Sequence, residues 1–290
     1  MIENCRQLFM VRSVGWNKIL LLVGVHMILT TIVNFVFFRY GMFGGIQNAT
    51  MGLISGTLLA NLFFMAIMFP LLFKWCGLKT KDLALTPAFG DGDGTIPKGI
   101  RWTLAALVIV HLATLIAIAF GAGPLQWTSG WYLKQIIEWL GRCIGQFLGN
   151  ALYEEVFFRA FLLPQCLLAF KKKNRKWSWN KCFLLALAVS QTFFALSHLP
   201  RDIANGAGLN QVYGLLMAYL IGGLLFAAVF LLTKNLYAAI GVHAIANFTP
   251  MIFHMPIGGL QFCSYFIILI PIYWNWKAKQ RDIEKGSATG

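Results

Sequence analysis

Two adjacent glutamates, Glu154 and Glu155, lie inside a long apolar stretch of this sequence. An ionisable side chain at membrane depth costs about 2.5–3.5 kcal/mol on insertion scales, so such a residue generally has a function. Arg159 follows Glu155 at i+4, so these two side chains can pair on one helix face. Glu154 points about 100° away around the helix and has no charged residue at i±3 or i±4. The spacing predicts one paired glutamate and one free carboxylate, and a free carboxylate suits a general base.

Two further apolar stretches each carry a histidine with a partner at four-residue spacing. Phe194 and His198 share a face of one predicted helix, and His243 and Asn247 share a face of another. A single histidine in a helix bundle usually makes an interhelical hydrogen bond, and three others are interpreted in that way: His26, His111 and His254. A carboxylate, two imidazoles and an amide on three separate helices form a more specific set.

The composition places these residues in a polytopic membrane protein. Of the 290 residues 58% are hydrophobic and 12% are charged, against about 25% charged in an average soluble protein. The 24 basic and 10 acidic residues are too few to cover a soluble surface of this size. The net charge of +14 does not indicate nucleic-acid binding, because the basic residues are spread between apolar runs. The six cysteines show no paired spacing, so neither a disulfide framework nor a thiolate metal site is expected.

A transmembrane helix needs about 20 apolar residues, and the sequence contains eight candidates. We expect an all-α membrane domain that includes the whole chain, 1–290, with a motif-bearing core at about 132–253 and a disordered tail at 286–290. The seventh span is short, and Pro164 is expected to end the fourth helix early. Glycines at four-residue intervals, Gly141, Gly145 and Gly149, predict close packing of the fourth helix against a neighbour. The eight predicted spans are Ile19–Phe38, Met51–Phe73, Trp102–Phe120, Trp131–Phe170, Cys182–Leu199, Val212–Thr233, Leu236–Phe253 and Leu260–Trp276.

The distribution of basic residues predicts the orientation. Lysine and arginine collect at both termini and in alternate loops, which favours cytoplasmic termini. The loop Lys171–Lys181 carries six basic residues and is expected to contact anionic lipid headgroups. Glu154 lies 17 residues before this loop and His198 lies 17 residues after it. In continuous helices both would sit about 25 Å from the same boundary, so the two side chains are expected to meet.

The three motifs together resemble those of the CPBP family of intramembrane proteases, which groups type II CAAX prenyl endopeptidases with bacteriocin-processing and abortive-infection-like proteins. The family pattern is EExxxR, FxxxH and HxxxN/D/S on successive helices. The corresponding residues here are Glu154-Glu155-Val-Phe-Phe-Arg159, Phe194–His198 and His243–Asn247, in that order. The resemblance covers about a third of the chain, from Gly145 to Pro250.

The resemblance implies a glutamate-dependent peptidase without metal or other cofactor. Glu154 with His198 would activate water, and His243 with Asn247 would donate hydrogen bonds to the oxyanion. Arg159 with Glu155 would form a structural pair. The implied substrate is a membrane-anchored peptide, either a prenylated CAAX-type C-terminus or a hydrophobic peptide precursor.

Three other functions are compatible with the same residues. One glutamate and two histidines can ligate zinc, although the sequence has no HExxH motif. Intramembrane carboxylates and histidines also form proton relays in transporters, but the sequence shows no internal repeat typical of many transporters. A non-catalytic immunity or scaffold protein of the same family is the third alternative.

Overall fold

The computed structural model describes residue 9 and residues 11–86, 95–124, 133–248 and 264–288. Every regular element in these residues is helical, so the predicted all-α class is confirmed. Short 3₁₀ turns occur at Thr80–Leu83 and Tyr265–Ile268. In chain order the helices are α1 Trp16–Phe38, α2 Gly44–Ala49, α3 Gly56–Trp75, α4 Ile96–Ala119, α5 133–173, α6 Trp179–Leu196, α7 Leu199–Ala204, α8 Leu209–Thr233, α9 Leu236–Asn247 and α10 Leu269–Ala288.

Five helical stretches of the described chain are long and apolar enough to cross a membrane. They are α1, α3, α4, α8 and the stretch Trp179–Ala204, which comprises α6 and α7. The protein is therefore an integral membrane protein with several spans. The fourth predicted span corresponds to α5, and α9 is an apolar helix of 12 residues. The predicted boundaries Phe253 and Leu260 of the last two spans, like Trp131 of the fourth, lie outside the described residues.

Helix α4 shows how this molecule meets the bilayer. Large apolar side chains are exposed along it at every fourth residue, in a row that winds gradually around the helix: Ile96, Ile100, Leu104, Val108, Leu112 and Ile116. In water such a continuous apolar row would be unfavourable, whereas lipid chains accommodate it. Elsewhere on its surface α4 packs against α9.

Helix α5 is the central element. All eight residues of its segment Glu155–Leu162 are buried, as expected for a helix surrounded by other helices. Two segments of α5, Gly145–Asn150 and Glu155–Leu162, have π-helical hydrogen bonding, and they lie on either side of Glu154.

The expectation that Pro164 ends the fourth helix is wrong. The helix continues to Lys173, and Pro164 lies in the first turn of its last α-helical segment. A proline is tolerated there because a backbone N–H in the first turn of an α-helical segment has no acceptor within that segment. The N–H that proline lacks is therefore not missed. The preceding π segment supplies the change of hydrogen-bonding register that makes this possible.

The glycines of α5 allow a close approach to α3 and the loop before it, which confirms the packing predicted from their spacing. A Cβ atom at Gly141 would collide with the backbone of Gly52 and Leu53. A Cβ atom at Gly145 would collide with the Ser55 side chain. On its other sides α5 packs against α6 and α9, and α8 lies against both α6 and α9. The three motif-bearing helices are therefore neighbours.

Candidate active site

The two histidines of the motifs converge on one carboxylate oxygen. Glu154 Oε2 lies 3.6 Å from His243 Nε2 and 3.8 Å from His198 Nε2. These distances exceed those of hydrogen bonds, but they place three ionisable groups in one small space. The side chains of Glu154 and His198 are 13% and 12% exposed, while His243 is almost completely buried. The predicted meeting of Glu154 and His198 is confirmed by this contact.

The position of His198 explains the four-residue spacing from Phe194. His198 lies in the turn after α6, where Phe194 provides a carbonyl acceptor at the helix end. The Nδ1 atom of His198 lies 2.7 Å from Phe194 O. A carbonyl can only accept, so Nδ1 carries the hydrogen and donates it. The neutral ring then presents its Nε2 lone pair toward Glu154, which suits a group that accepts a proton.

Tyr219 of α8 packs against one face of the His198 imidazole, a contact that the sequence did not predict. Its ring stacks on His198 with 4.4 Å between centroids and 23° between planes. The Tyr219 hydroxyl donates to Asp202 Oδ2 at 2.7 Å. Arg201 donates to the Tyr219 oxygen at 2.5 Å and to Asp202 Oδ1 at 3.1 Å. No helical spacing rule links Tyr219 to His198, because His198 lies in the turn after α6 and Tyr219 lies on α8.

Glu155 organises a second, fully buried set of charges. The predicted i,i+4 pair is present, since Glu155 Oε1 lies 3.0 Å from Arg159 Nη1. The same oxygen lies 2.7 Å from His243 Nδ1, a contact the sequence did not predict. Arg159 also donates to Gly223 O at 3.1 Å, and its guanidinium lies 4.2 Å from the centre of the Phe194 ring. Glu155 therefore holds both the helix-stabilising arginine and one of the two motif histidines.

This contact fixes what His243 can donate. An ionised Glu155 accepts from Nδ1–H, so a neutral His243 presents only a lone pair at Nε2. His243 becomes a donor at Nε2 when it is protonated, and the Glu155 carboxylate stabilises that imidazolium. The ring is further fixed by stacking on Phe226, with centroids 4.1 Å apart and planes at 15°.

Asn247, the last residue of α9, is the exposed member of the set. Its Nδ2 donates to Gln146 Oε1 of α5 at 3.1 Å. An amide nitrogen carries two hydrogens, so one remains for another acceptor. Gln146 was not singled out from the sequence, and it anchors Asn247 beside the other motif residues.

The comparison with family models agrees with the motifs. Residues 136–249 match the model of type II CAAX prenyl endopeptidase Rce1-like proteins.

Residues 136–249 are similar to this family, and we refer to this segment as the Rce1-like domain.

This domain includes all three motifs, so the resemblance to the CPBP proteases is confirmed. A comparison with curated proteins gave no match, and neither did one with solved structures. In the part of the chain that the structure describes, no group of three or more His, Cys, Asp or Glu side chains is arranged to hold a metal ion.

A cavity of about 430 Å³ contains the motif residues, and the Rce1-like domain supplies only part of its wall. Glu154, His198, His243 and Asn247 line it, whereas Glu155 and Arg159 lie behind it. Helices α1 and α3, which precede the Rce1-like domain, complete the wall. Most of the polar residues that line the remaining wall carry no charge: His26, Thr30, Asn34, Thr57, Asn61, Gln146 and Asn150.

Proposed function

We propose that this protein is a glutamate-dependent intramembrane endopeptidase that needs no metal. The observation that carries the proposal is the convergence of His198 Nε2 and His243 Nε2 on Glu154 Oε2 in the wall of one cavity. The match of residues 136–249 to the Rce1-like family model supports this reaction class.

In the proposed reaction, Glu154 and His198 polarise a water molecule that attacks the scissile carbonyl carbon. The proton of that water passes to Glu154 or to the free Nε2 of His198. The carbonyl oxygen becomes an oxyanion and accepts hydrogen bonds from protonated His243 and from Asn247. One such donor contributes about 2.7–4 kcal/mol in a well-studied protease. When the tetrahedral intermediate collapses, the C–N bond breaks and the leaving nitrogen takes up the transferred proton.

The proposed substrate is a peptide attached to or inserted in the membrane. The family match favours a prenylated CAAX-type C-terminus, and a hydrophobic peptide precursor is the alternative. The bilayer itself is the second proposed partner, with anionic headgroups at the basic loop Lys171–Lys181.

The test is incubation of the purified protein with a farnesylated peptide that ends in a CAAX sequence, followed by mass spectrometry. We expect release of the terminal tripeptide in the presence of a strong chelator, and no release by Glu154→Gln. Glu138→Gln is the matched control, because Glu138 is a glutamate of the same helix that does not line the cavity.

Each alternative function predicts a different result, either in this cleavage assay or in a flux measurement. Loss of activity with chelator would show that a metal is required. Cleavage of a hydrophobic precursor, but not of the prenylated peptide, would change the substrate class. Cleavage of neither by a folded protein would favour the non-catalytic scaffold, and proton-driven flux in liposomes that survives Glu154→Ala would favour a transporter.

A further inference from the structure

One buried polar atom in the cavity wall is left unexplained by the proposed reaction. His26 of α1 lines the cavity and is 4% exposed. Its Nδ1 lies 2.7 Å from the Tyr153 hydroxyl, and its ring stacks on Phe157 with centroids 4.7 Å apart. Its Nε2 has no hydrogen-bond partner among the described residues. The expected interhelical hydrogen bond is therefore confirmed for one nitrogen of His26 and absent for the other.

The chemistry of Tyr153 identifies Nε2 as a donor. If the hydroxyl donates to Nδ1, its single hydrogen is used and the neutral imidazole carries its own hydrogen at Nε2. The reverse arrangement would leave two groups unpaired among the described residues, the hydroxyl hydrogen and the Nε2 lone pair, instead of one. A buried N–H without an acceptor is costly, and within a membrane protein only a bound molecule or another protein group can supply that acceptor.

Two more polar side chains continue the line of His26 along α1. Thr30 and Asn34 follow at four-residue steps, and both line the same cavity. Thr30 Oγ1 donates to His26 O at 2.9 Å, and Asn34 Nδ2 donates to Thr30 O at 2.8 Å. Thr30 Oγ1 and Asn34 Oδ1 can accept hydrogen bonds from a molecule in the cavity, and Asn34 Nδ2 keeps one hydrogen that it can donate.

The three side chains His26, Thr30 and Asn34 form a polar stripe along α1, and their spacing is close to the repeat distance of an extended peptide. Four residues of an α-helix rise about 6 Å. In an extended chain the groups on one side recur every two residues, or about 6.6–6.8 Å. A main chain lying along α1 would thus present its carbonyl to His26 and its N–H groups to the oxygens farther along the helix.

We infer that the stripe His26–Thr30–Asn34 binds the main chain of an extended substrate peptide, with His26 Nε2–H donating to a peptide carbonyl. This inference rests on the proposed function, whose substrate it describes. It assigns peptide binding to α1, a helix outside the Rce1-like domain, while the chemistry stays with the motif residues of that domain. His26 positions the substrate and takes no part in proton transfer.

The test separates binding from cleavage. In the Glu154→Gln background, binding of a fluorescent farnesylated CAAX peptide is measured by anisotropy with and without His26→Phe. Phenylalanine keeps the ring that stacks on Phe157 and removes the donor. We expect about a tenfold rise in Kd, as for the loss of one buried hydrogen bond. In the otherwise unchanged protein we expect KM to rise by a similar factor and kcat to stay within about twofold.

His111→Phe is the matched control, because His111 is a histidine of the membrane-spanning helix α4 that does not line the cavity. It should leave both Kd and KM unchanged. If His26→Phe fails to fold because it isolates the Tyr153 hydroxyl, the double variant His26→Phe/Tyr153→Phe removes that hydroxyl as well.

An unchanged Kd in the folded variant would overturn the inference, and so would a fall in kcat at constant KM. Failure of the Glu154→Gln parent to bind the peptide would overturn it too. If the peptide binds in a His26-dependent manner but the wild-type protein cleaves nothing, the peptide site stands and the proposed endopeptidase function fails.

Discussion

Glu154 and Glu155 are adjacent in the sequence but have opposite surroundings. Glu155 is completely buried and contacts Arg159 and His243, whereas Glu154 faces the cavity and no arginine or lysine pairs with it in the described structure. A single residue step, about 100° around the helix, thus separates a carboxylate that organises the helices from one that is available for chemistry.

Removing the charge of Glu155 should destabilise the fold more than removing that of Glu154. Glu155→Gln leaves the guanidinium of Arg159 buried without its counter-charge, which typically costs about 3–5 kcal/mol. We expect a clearly lower thermal midpoint in detergent for this variant and a near wild-type midpoint for Glu154→Gln. Glu155→Gln/Arg159→Met should recover part of the loss. Equal midpoints for the two single variants would show that Arg159 does not depend on Glu155.

Tyr219 should act on catalysis through the orientation of His198. In Tyr219→Leu the stacked ring is lost, and we expect kcat to fall about tenfold, equivalent to about 1.4 kcal/mol. Tyr219→Phe keeps the ring and loses only the hydroxyl contacts with Arg201 and Asp202, so its kcat should fall less. A pH profile of kcat should shift in Tyr219→Leu if the imidazole environment has changed. Similar kcat values for wild type and Tyr219→Leu would argue against this role.

At the scale of the helices, α5 combines close packing with irregular hydrogen bonding. Its glycines lie against the chain around α3, and its π segments lie on either side of Glu154. Since π segments frequently occur at functional sites, this irregularity agrees with the proposed role of Glu154.

The α3–α5 contact should be sensitive to a single methyl group. Gly141→Ala places Cβ against the backbone of Gly52 and Leu53, which cannot move as easily as a side chain. We expect a loss of about 1–3 kcal/mol of stability, as for other overpacked sites. Gly24→Ala in α1 is the control, because no atom lies within 4 Å of its added Cβ. Thermal unfolding in detergent compares the two, and equal effects would contradict the packing described here.

The features that depend on residue spacing along one helix could be predicted from the sequence. The i,i+4 pair of Glu155 and Arg159, the glycine face of α5 and the contact of His198 with Phe194 all follow from helical periodicity. The contact of Glu154 with His198 was predicted from their equal distances from the basic loop. Other contacts between distant segments were not predicted, because periodicity describes one helix at a time. Tyr219 against His198 and Tyr153 against His26 are of this kind. The continuation of α5 beyond Pro164 was not predicted. The expectation that a proline ends a helix assumes regular α-helical hydrogen bonds, and the π segment before Pro164 changes that pattern.

At the scale of the whole molecule, the cavity requires more than the Rce1-like domain. Helices α1 and α3 supply polar residues to its wall, although neither carries a family motif. In the proposed arrangement the motif helices perform the chemistry and the N-terminal helices hold the substrate. Both parts therefore belong to one functional unit.

The orientation of this unit remains a prediction from the basic residues. If Lys171–Lys181 faces the cytoplasm, a cysteine introduced at Asn174 should react with a membrane-impermeant maleimide only after the cells are permeabilised. A cysteine replacing Asn205, after α7, should react in intact cells. The background should lack the native cysteines, and the opposite labelling pattern would reverse the proposed orientation.

The central claim is that the Glu154 carboxylate activates the attacking water. Its most direct test is the rate of tripeptide release from a farnesylated CAAX peptide by Glu154→Gln and by Glu138→Gln, with chelator present. We predict that Glu154→Gln loses at least about 10²-fold in kcat, as expected when a general base is removed, and that Glu138→Gln keeps the wild-type rate. A folded Glu154→Gln protein that cleaves the peptide at the wild-type rate would contradict the claim.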